Sequence, residues 1–305
     1  MKAFISEIFK DCSALSSKGQ VADYIPALKN SSIDNLGITI IDTSGEIISY
    51  GHHDKKFTIQ SISKVVSLLL ALEDNGTEKF FSRIGKEASG DPFNSIIKLE
   101  TSTESKPLNP LINSGAITVT DMIHGNTVEE KFERLIEYFK LITGNEELKI
   151  NEEVFLSEKE TGNRNKAIAF FLKELGVIDS DPLKLLDIYF KQCSIEVTTK
   201  DLAKIALLLG NRGLDPISGK QIVNKKYCSI CNAYMTICGM YDGSGEFAIN
   251  IGIPGKSGVG GGILAPVPER YGIGVYGPSL NKKGNSIAGI KLLELLSEEF
   301  DFSMY

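Results

Sequence analysis

The stretch "FTIQSISKVVSLLLAL", Phe57–Leu72, reads as an apolar helix whose opening turn carries Ser61, Ser63 and Lys64. A helix this apolar must be buried, so its first turn is drawn toward the core with it. The ordinary account is that serine caps helices and lysine snorkels. The chemical account is that Ser61 and Lys64 are a nucleophile and its base. At (i, i+3) on a helix, Cβ atoms stand about 5–6 Å apart, close enough for the amine to reach the hydroxyl. A lysine can take the serine's proton only if burial or cationic neighbours lower its pKa from about 10.4.

The Ser-x-x-Lys spacing occurs three times, as Ser61/Lys64, Ser95/Lys98 and Ser279/Lys282, so the spacing alone decides nothing. Context separates the three. Ser61 opens the most apolar helix, where free N–H groups and the helix dipole favour a developing oxyanion. Lys64 is followed by Val65, Val66 and Leu68, which desolvate its amine. Ser95/Lys98 lies in a short amphipathic stretch and Ser279/Lys282 in a polar loop.

Outward from this helix, "LGITIID" (Leu36–Asp42) and "IISYG" (Ile47–Gly51) flank a turn containing Gly45 and read as a hairpin. Residues 1 to 35 read as two short helical pieces broken at Pro26. From about 58 to 240 the period is mostly helical: Lys131–Gly144 ends on a C-cap glycine, and Thr198–Gly213 opens on an N-cap threonine. Residues 145 to 160 are polar and acidic and read as a loop. After Tyr241, "EFAINIGIPGKSGVGGGILAPVPERYGIGVYGP" is rich in glycine and apolar residues and carries three expected strands. Asn285–Phe300 closes the chain as an amphipathic helix capped by Asn285 or Ser286.

Two strands near the start and three near the end predict an α+β fold of αβα layering. A mostly antiparallel five-stranded sheet is completed by both ends of the chain, with terminal helices packed on it. Residues about 1–65 and 241–305 form the sheet part and about 66–240 a helical lobe, all within one catalytic domain, 1–305. Loops where the two parts meet favour a ligand pocket.

A second motif lies in "GKSGVGGG", Gly255–Gly262. It is not a phosphate-binding Walker loop, because the required first glycine falls on Asn250 and a strand, not a helix, follows. The remaining readings are a glycine-rich turn or a Lys-Ser-Gly strand, Lys256-Ser257-Gly258, beside an active site. Serine β-lactamases and penicillin-binding proteins combine such a strand with an upstream Ser-x-x-Lys. Ser61-x-x-Lys64 precedes Lys256-Ser257-Gly258 in that order.

The 305 residues are 42% hydrophobic and 24% charged, with a net charge of −6. That composition builds a core without disulfide or metal and argues against nucleic acid or an anionic membrane as partner. Met1–Gln20 lacks an uninterrupted apolar run, and no stretch is long enough to span a bilayer. The five cysteines, Cys12, Cys193, Cys228, Cys231 and Cys238, are odd in number and suit a reducing compartment, so a cytoplasmic location is expected. Cys228-x-x-Cys231 lacks a second ligand pair and reads as part of a buried helix, and no metal or cofactor is expected. Of three histidines, His52 and His53 follow the hairpin and His124 is structural. No Gly-x-Ser-x-Gly elbow is present.

Seven blocks, "VADYIPAL", "FTIQSISK", "NPLINSGAI", "SEKETGNRNKAIA", "DIYFKQCSI", "CGMYDGSGEFA" and "GIPGKSGVGGGILAPVP", resemble in this order the motifs of serine-dependent glutaminases. That family shares the fold of serine β-lactamases and penicillin-binding proteins. The resemblance runs from about residue 20 to 300, with serine at 114 where alanine is common. It implies the catalytic domain alone, without the extra regions of the animal enzymes.

It further implies hydrolysis of L-glutamine to L-glutamate and ammonia through a γ-glutamyl-serine intermediate. Ser61 would be the nucleophile and Lys64 its base. The N–H groups of Ser61 and Val259 would form the oxyanion hole. Asn113, Glu158, Asn165 and Tyr189 would hold the substrate, with Tyr24 and Tyr241 lining the pocket and Tyr241 relaying protons. Gln60, Lys256, Ser257 and Gly258 support these groups from their motifs. A homodimer or homotetramer is implied by resemblance only. The competing expectations are a β-lactamase or transpeptidase, against which the missing Ser-Asp-Asn tripeptide argues, and a non-catalytic amino-acid-binding relative, against which the intact Ser61/Lys64 pair argues.

Overall fold

The computed structural model describes residues 1–101 and 106–305; the side chain of Lys98, one of the three Ser-x-x-Lys candidates, lies outside them. Helix α1 (Lys2–Ala14) and a 3₁₀ turn at Pro26–Asn30 precede the hairpin β1 (Gly37–Asp42) and β2 (Ile47–Gly51). The N-terminal break therefore precedes Pro26, which opens the second piece: proline is pre-set for a first helical position. A short strand β3 (Phe57–Thr58) and a 3₁₀ turn (Gln60–Ile62) lead into α2 (Ser63–Arg83), which is interrupted at Gly76 by a positive φ of 69°.

The helical part continues with α3 (Ile97–Thr101), α4 (Asn113–Met122), α5 (Val128–Thr143), α6 (Glu152–Thr161), α7 (Asn163–Glu174) and α8 (Pro182–Cys193). Strand β4 (Glu196–Val197) pairs with β3 in a separate two-stranded ribbon, and α9 (Thr199–Gly210) and α10 (Lys225–Cys238) follow. The chain ends with α11 (Ser244–Asn250), β5 (Lys256–Ser257), β6 (Gly262–Val267), β7 (Tyr271–Tyr276) and α12 (Ile287–Phe300).

The expected sheet is present: five antiparallel strands in the order β2-β1-β7-β6-β5, with the first two from the start of the chain and the other three from its end. Period-2 alternation sorts its faces. Ile38, Ile40, Ile263, Ala265, Ile273 and Val275 pack with Ile5, Leu292, Leu293 and Leu296 of the terminal helices. Gly272 and Gly274 point the other way, toward α9. A Cβ on either would come within 2.0 Å of the carbonyl of Ala203 or Thr199, so only glycine admits α9 this close. Thr39 on β1 and Thr199 on α9 seal that contact with a 2.7 Å hydroxyl pair.

Gly144 takes the left-handed C-cap (φ 60°), Thr198 and Asp201 form a capping box, and Ser286 caps α12, as their sequences predict. Two segments differ from expectation. Within 145–160, the loop gives way at Glu152 to α6, whose buried side chains are only Val154, Phe155 and Glu158. "SGEFAIN" is the short helix α11, so the strand expected in this region begins only at Lys256. No helix among the described residues is long and apolar enough to cross a membrane.

Candidate active site

Ser61 lies in the 3₁₀ turn that delivers the chain into α2, and Lys64 is the second residue of the helix proper. Gln60 holds a positive φ of 51°, a conformation a non-glycine side chain resists. Its side chain repays that strain: Nε2 donates to Thr58 Oγ1 at 3.3 Å and to Glu158 Oε1 at 2.9 Å. The residue before Ser61 is thus anchored to the end of β3 and, across a cleft, to α6.

That cleft is about 120 Å³, and Ser61, Asn113, Glu158, Asn165, Tyr189 and Val259 all line it. Tyr24, 56% exposed, lines its outer part. Of the expected site residues, Lys64, Tyr241, Lys256, Ser257 and Gly258 stand outside the lining. Lys64 and Lys256 are fully buried behind it.

Lys64 Nζ donates to Leu111 O at 3.0 Å and to Asn113 Oδ1 at 2.8 Å. Burial lowers its pKa to about 8, with Cys193 and Glu158 opposing. Asn113 is the hub: its Nδ2 donates to Asn165 Oδ1 at 2.8 Å, and its Oδ1 also accepts from Tyr189 Oη at 3.4 Å. Its position is built locally. Asn109 Oδ1 accepts from the N–H groups of Leu111 and Ile112, and Asn113 N donates to Phe93 O. A Cβ at Gly115 would lie 1.8 Å from Asn109 O, so only glycine lets α4 start against this turn.

Glu158 comes from the last turn of α6 and is 7% exposed. Burial raises its carboxyl pKa to about 7, opposed by the Gln60 hydrogen bond and by Lys64. Burial also raises Tyr189 and Cys193, whose thiol sits on the same wall.

The strand motif approaches Ser61 from the far side. A Cβ at Gly258 would lie 2.7 Å from Ile59 O, and one at Gly260 would lie 2.4 Å from Thr58 O. The glycines let this loop run against the backbone that carries Ser61, bringing Val259 to the cleft. Among the described residues no backbone acceptor engages the Val259 N–H. Tyr241 also has a positive φ, 53°, and its hydroxyl is buried without a hydrogen-bond partner. Burial pushes its pKa up to about 12, and the facing Ser61 and Ser257 hydroxyls oppose that rise.

The other motifs separate from the site. Ser279 Oγ donates to Ser16 O at 2.6 Å, fastening the N-terminal turn, and Ser95 caps α3. His124 faces Asp74 at 3.9 Å, and His52 is exposed. All five cysteines are free, and no cluster among the described residues could hold a metal. Phe93, Asn94, Thr161, Arg164 and Cys193 line the cleft but were not expected to. Arg164 Nε donates to Asn94 O at 2.9 Å, closing the rim. Arg164 sits one residue from Asn165 in its block, which could have marked it; nothing in the local sequence marks Phe93 or Asn94.

Comparison with known proteins identifies the relatives of this chain. Residues 19–305 match the family model described as Glutaminase. Glutaminase 2 of Clostridium perfringens is 50% identical over 305 residues, covering 100% of both chains. A Bacillus glutaminase crystal structure superposes with a TM-score of 0.93 at 37% identity, covering 100% of this chain and 99% of that one. A probable glutaminase from Bacillus subtilis, complexed with 6-diazo-5-oxo-L-norleucine, gives 0.91 at 36% identity, covering 98% and 95%.

Proposed function

The chain belongs to the glutaminase family, and from that premise we propose that Ser61 and Lys64 carry out the hydrolysis of L-glutamine to L-glutamate and ammonia. Lys64 takes the proton of Ser61 as its Oγ attacks the side-chain amide carbon. The oxyanion forms against the N–H groups of Ser61 and Val259, which stabilise charge that the ground state lacks. Tyr241, facing Ser61, passes a proton to the departing nitrogen and regains one from the Lys64 ammonium, and ammonia leaves behind a γ-glutamyl ester. Water then attacks the ester, its proton goes to the now neutral Lys64, and Lys64 returns a proton to Ser61 Oγ as glutamate departs.

Substrate recognition follows from the chemistry of a zwitterion. The α-ammonium needs an acceptor, which Glu158 supplies. The α-carboxylate needs donors, which Asn165 and Tyr189 supply, with Asn113 orienting them and Tyr24 covering the outer end. A substrate one methylene shorter, asparagine, would set its amide away from Ser61.

The observation that carries this reading is Lys64: a fully buried amine with pKa about 8, one turn after Ser61, hydrogen-bonded to neutral acceptors and, among the described residues, to no carboxylate. A salt-bridged lysine would be a poor base. Incubation with 6-diazo-5-oxo-L-norleucine, the ligand of the Bacillus subtilis relative, tests it. Mass spectrometry should find the adduct on Ser61, with ammonia release abolished in parallel. An adduct elsewhere, or full turnover by Ser61→Ala, would overturn the assignment.

The chain is further proposed to act as one catalytic unit, as a homo-oligomer and in the cytoplasm. Five free cysteines, four of them buried, support a reducing compartment.

A further inference from the structure

A second cavity, about 190 Å³, shares no residue with the cleft of Ser61. It lies where the C-terminal end of α5, helix α9, the β1–β2 hairpin and the turn from Asp215 to Lys220 meet. Its floor is buried and apolar, built by Ile41, Ile142, Leu207 and Leu208. Its mouth is rimmed by Ile47, Leu141 and Ile217, which are between 46% and 65% exposed. Large apolar side chains held in water around one opening are costly unless something covers them.

The walls are already in place. A Cβ at Gly45 would lie 3.3 Å from the Ile217 side chain, so the hairpin turn and the Asp215 turn touch. Asp215 N donates to Lys220 O and Gly219 N donates to Asp215 O, each at 2.8 Å, which closes that turn. A preformed cavity spares a ligand the cost of ordering its site.

Two charged residues interrupt the apolar lining, Lys204 and Asp215. They are opposite in sign and each feels the other's charge, yet they form no ion pair. Asp215 is served by its own turn: Oδ1 accepts from Ile217 N and Oδ2 from Ser218 N, each at 3.2 Å. Burial pushes its carboxyl up, but the Ser218 hydroxyl and these N–H groups outweigh burial and hold it below its usual value. One lone pair of Oδ1 stays open. Lys204 Nζ stands over the α5 cap, 3.1 Å from where a Gly144 Cβ would lie. Among the described residues it has neither a hydrogen-bond nor an ion-pair partner. Burial and then Lys200 lower its pKa, and an anion beside it would reverse that.

We infer that this cavity is a second amino-acid site, for an apolar α-amino acid whose carboxylate meets Lys204, whose ammonium meets Asp215 and whose side chain lies on the Ile41–Leu207 floor. A fatty acid would satisfy Lys204 but set its chain against the Asp215 anion, and an apolar amine would do the reverse. A zwitterion satisfies both charges. Size agrees, for the cavity is larger than the 120 Å³ cleft assigned to glutamine. The inference stands apart from the proposed reaction, because none of these residues lines that cleft.

The test is calorimetric titration of L-leucine into Glu158→Gln, whose cleft lacks its proposed ammonium acceptor. One saturable site with a Kd of about 1 mM or tighter is expected. Adding Lys204→Met or Asp215→Asn to that background should weaken it at least tenfold. So should replacing leucine by 4-methylpentanoate, which lacks the ammonium, or by 3-methylbutylamine, which lacks the carboxylate. Leucine binding that needs Glu158 but not Lys204 would put the ligand in the cleft and overturn the inference. Equal binding of the acid or the amine, or no binding at millimolar leucine, would overturn it too. Should a variant fail to fold, methyl NMR of the unaltered protein decides. Leucine should move the signals of Ile47, Leu141, Ile217 and Ile222, whereas shifts confined to Ile25 and Val259 of the cleft would refute the second site. Sedimentation of Ile217→Glu runs alongside: a fall in mass would assign the mouth to a second copy of the chain instead.

Discussion

Gln60 Nε2 donates to Glu158 Oε1 at 2.9 Å across the cleft, so the residue before the proposed nucleophile and the proposed ammonium acceptor share one hydrogen bond. Gln60 holds φ at 51°, and that contact ties the backbone of the nucleophile to the occupancy of the substrate site. Replacement of Gln60 by Ala should therefore damage both steps. A fall in kcat of about tenfold together with a rise in KM is expected. A change in KM alone, by steady-state kinetics, would show that the contact serves binding only.

Glu158 makes a prediction of opposite sign for stability and for activity. Its folded-state pKa, about 7, lies above the usual value of 4.5. Between pH 4.5 and 7 the unfolded chain ionises this carboxyl while the folded one resists, so the folded state loses stability as pH rises through that window. Above pH 7 the loss is constant, at most roughly 3 kcal/mol. Glu158→Gln should thus raise Tm at pH 8 and leave it unchanged at pH 4.5, while raising KM at least tenfold with a smaller effect on kcat. An unchanged KM would refute the ammonium role.

Asn113→Asp would place a carboxylate where an amide oxygen now accepts from Lys64 Nζ at 2.8 Å. An anion there favours the ammonium and raises the pKa of Lys64, about 8 in the native site, by one to three units. Because the base works unprotonated, the acid limb of kcat/KM should climb with it, leaving activity at pH 7.5 down by about 10- to 1000-fold. Recovery at pH 9 to 10 would distinguish this from loss of fold. A limb that stays in place would argue against Lys64 as the base.

The glycine loop can be tested with an internal control. Gly260→Ala sets a Cβ 2.4 Å from Thr58 O, so the loop must retreat and carry the Val259 N–H with it. Displacing one oxyanion donor costs on the order of 100-fold in kcat. Gly245→Ala, in α11 with open space around its Cβ, should instead leave kcat alone and stabilise by up to about 1 kcal/mol. Equal kcat in the two variants would dissociate the loop from catalysis.

The sequence by itself determined the elements whose side chains repeat with a clear period. Helix α2, the five strands drawn from both ends and the caps at Gly144, Thr198 and Ser286 were legible from apolar period and capping chemistry, and the Lys-Ser-Gly strand from its motif. Ser61, expected in the first helical turn, sits instead in the 3₁₀ turn before α2. Helix α6 was not legible. Its apolar residues are too few to show a period, and Asn151 Oδ1 capping Val154 N, together with tertiary contacts, holds it. Short α11 failed for the same reason: seven residues with Ser244 and Phe247 buried have no pattern to read. The β3–β4 ribbon joins residues about 140 apart, a pairing no local window contains.

The site divides along the same line. Each expected residue could be named from its block, but only the tertiary structure brought Asn113, Asn165 and Tyr189 into one hydrogen-bonded chain, and only it set the positive φ of Gln60 and Tyr241. It also decided the states of the ions. A lysine in a sequence is a cation by default; the depth of Lys64 and its neutral partners are facts of three-dimensional surroundings, because desolvation and hydrogen-bond direction depend on neighbours that meet only when the chain has folded.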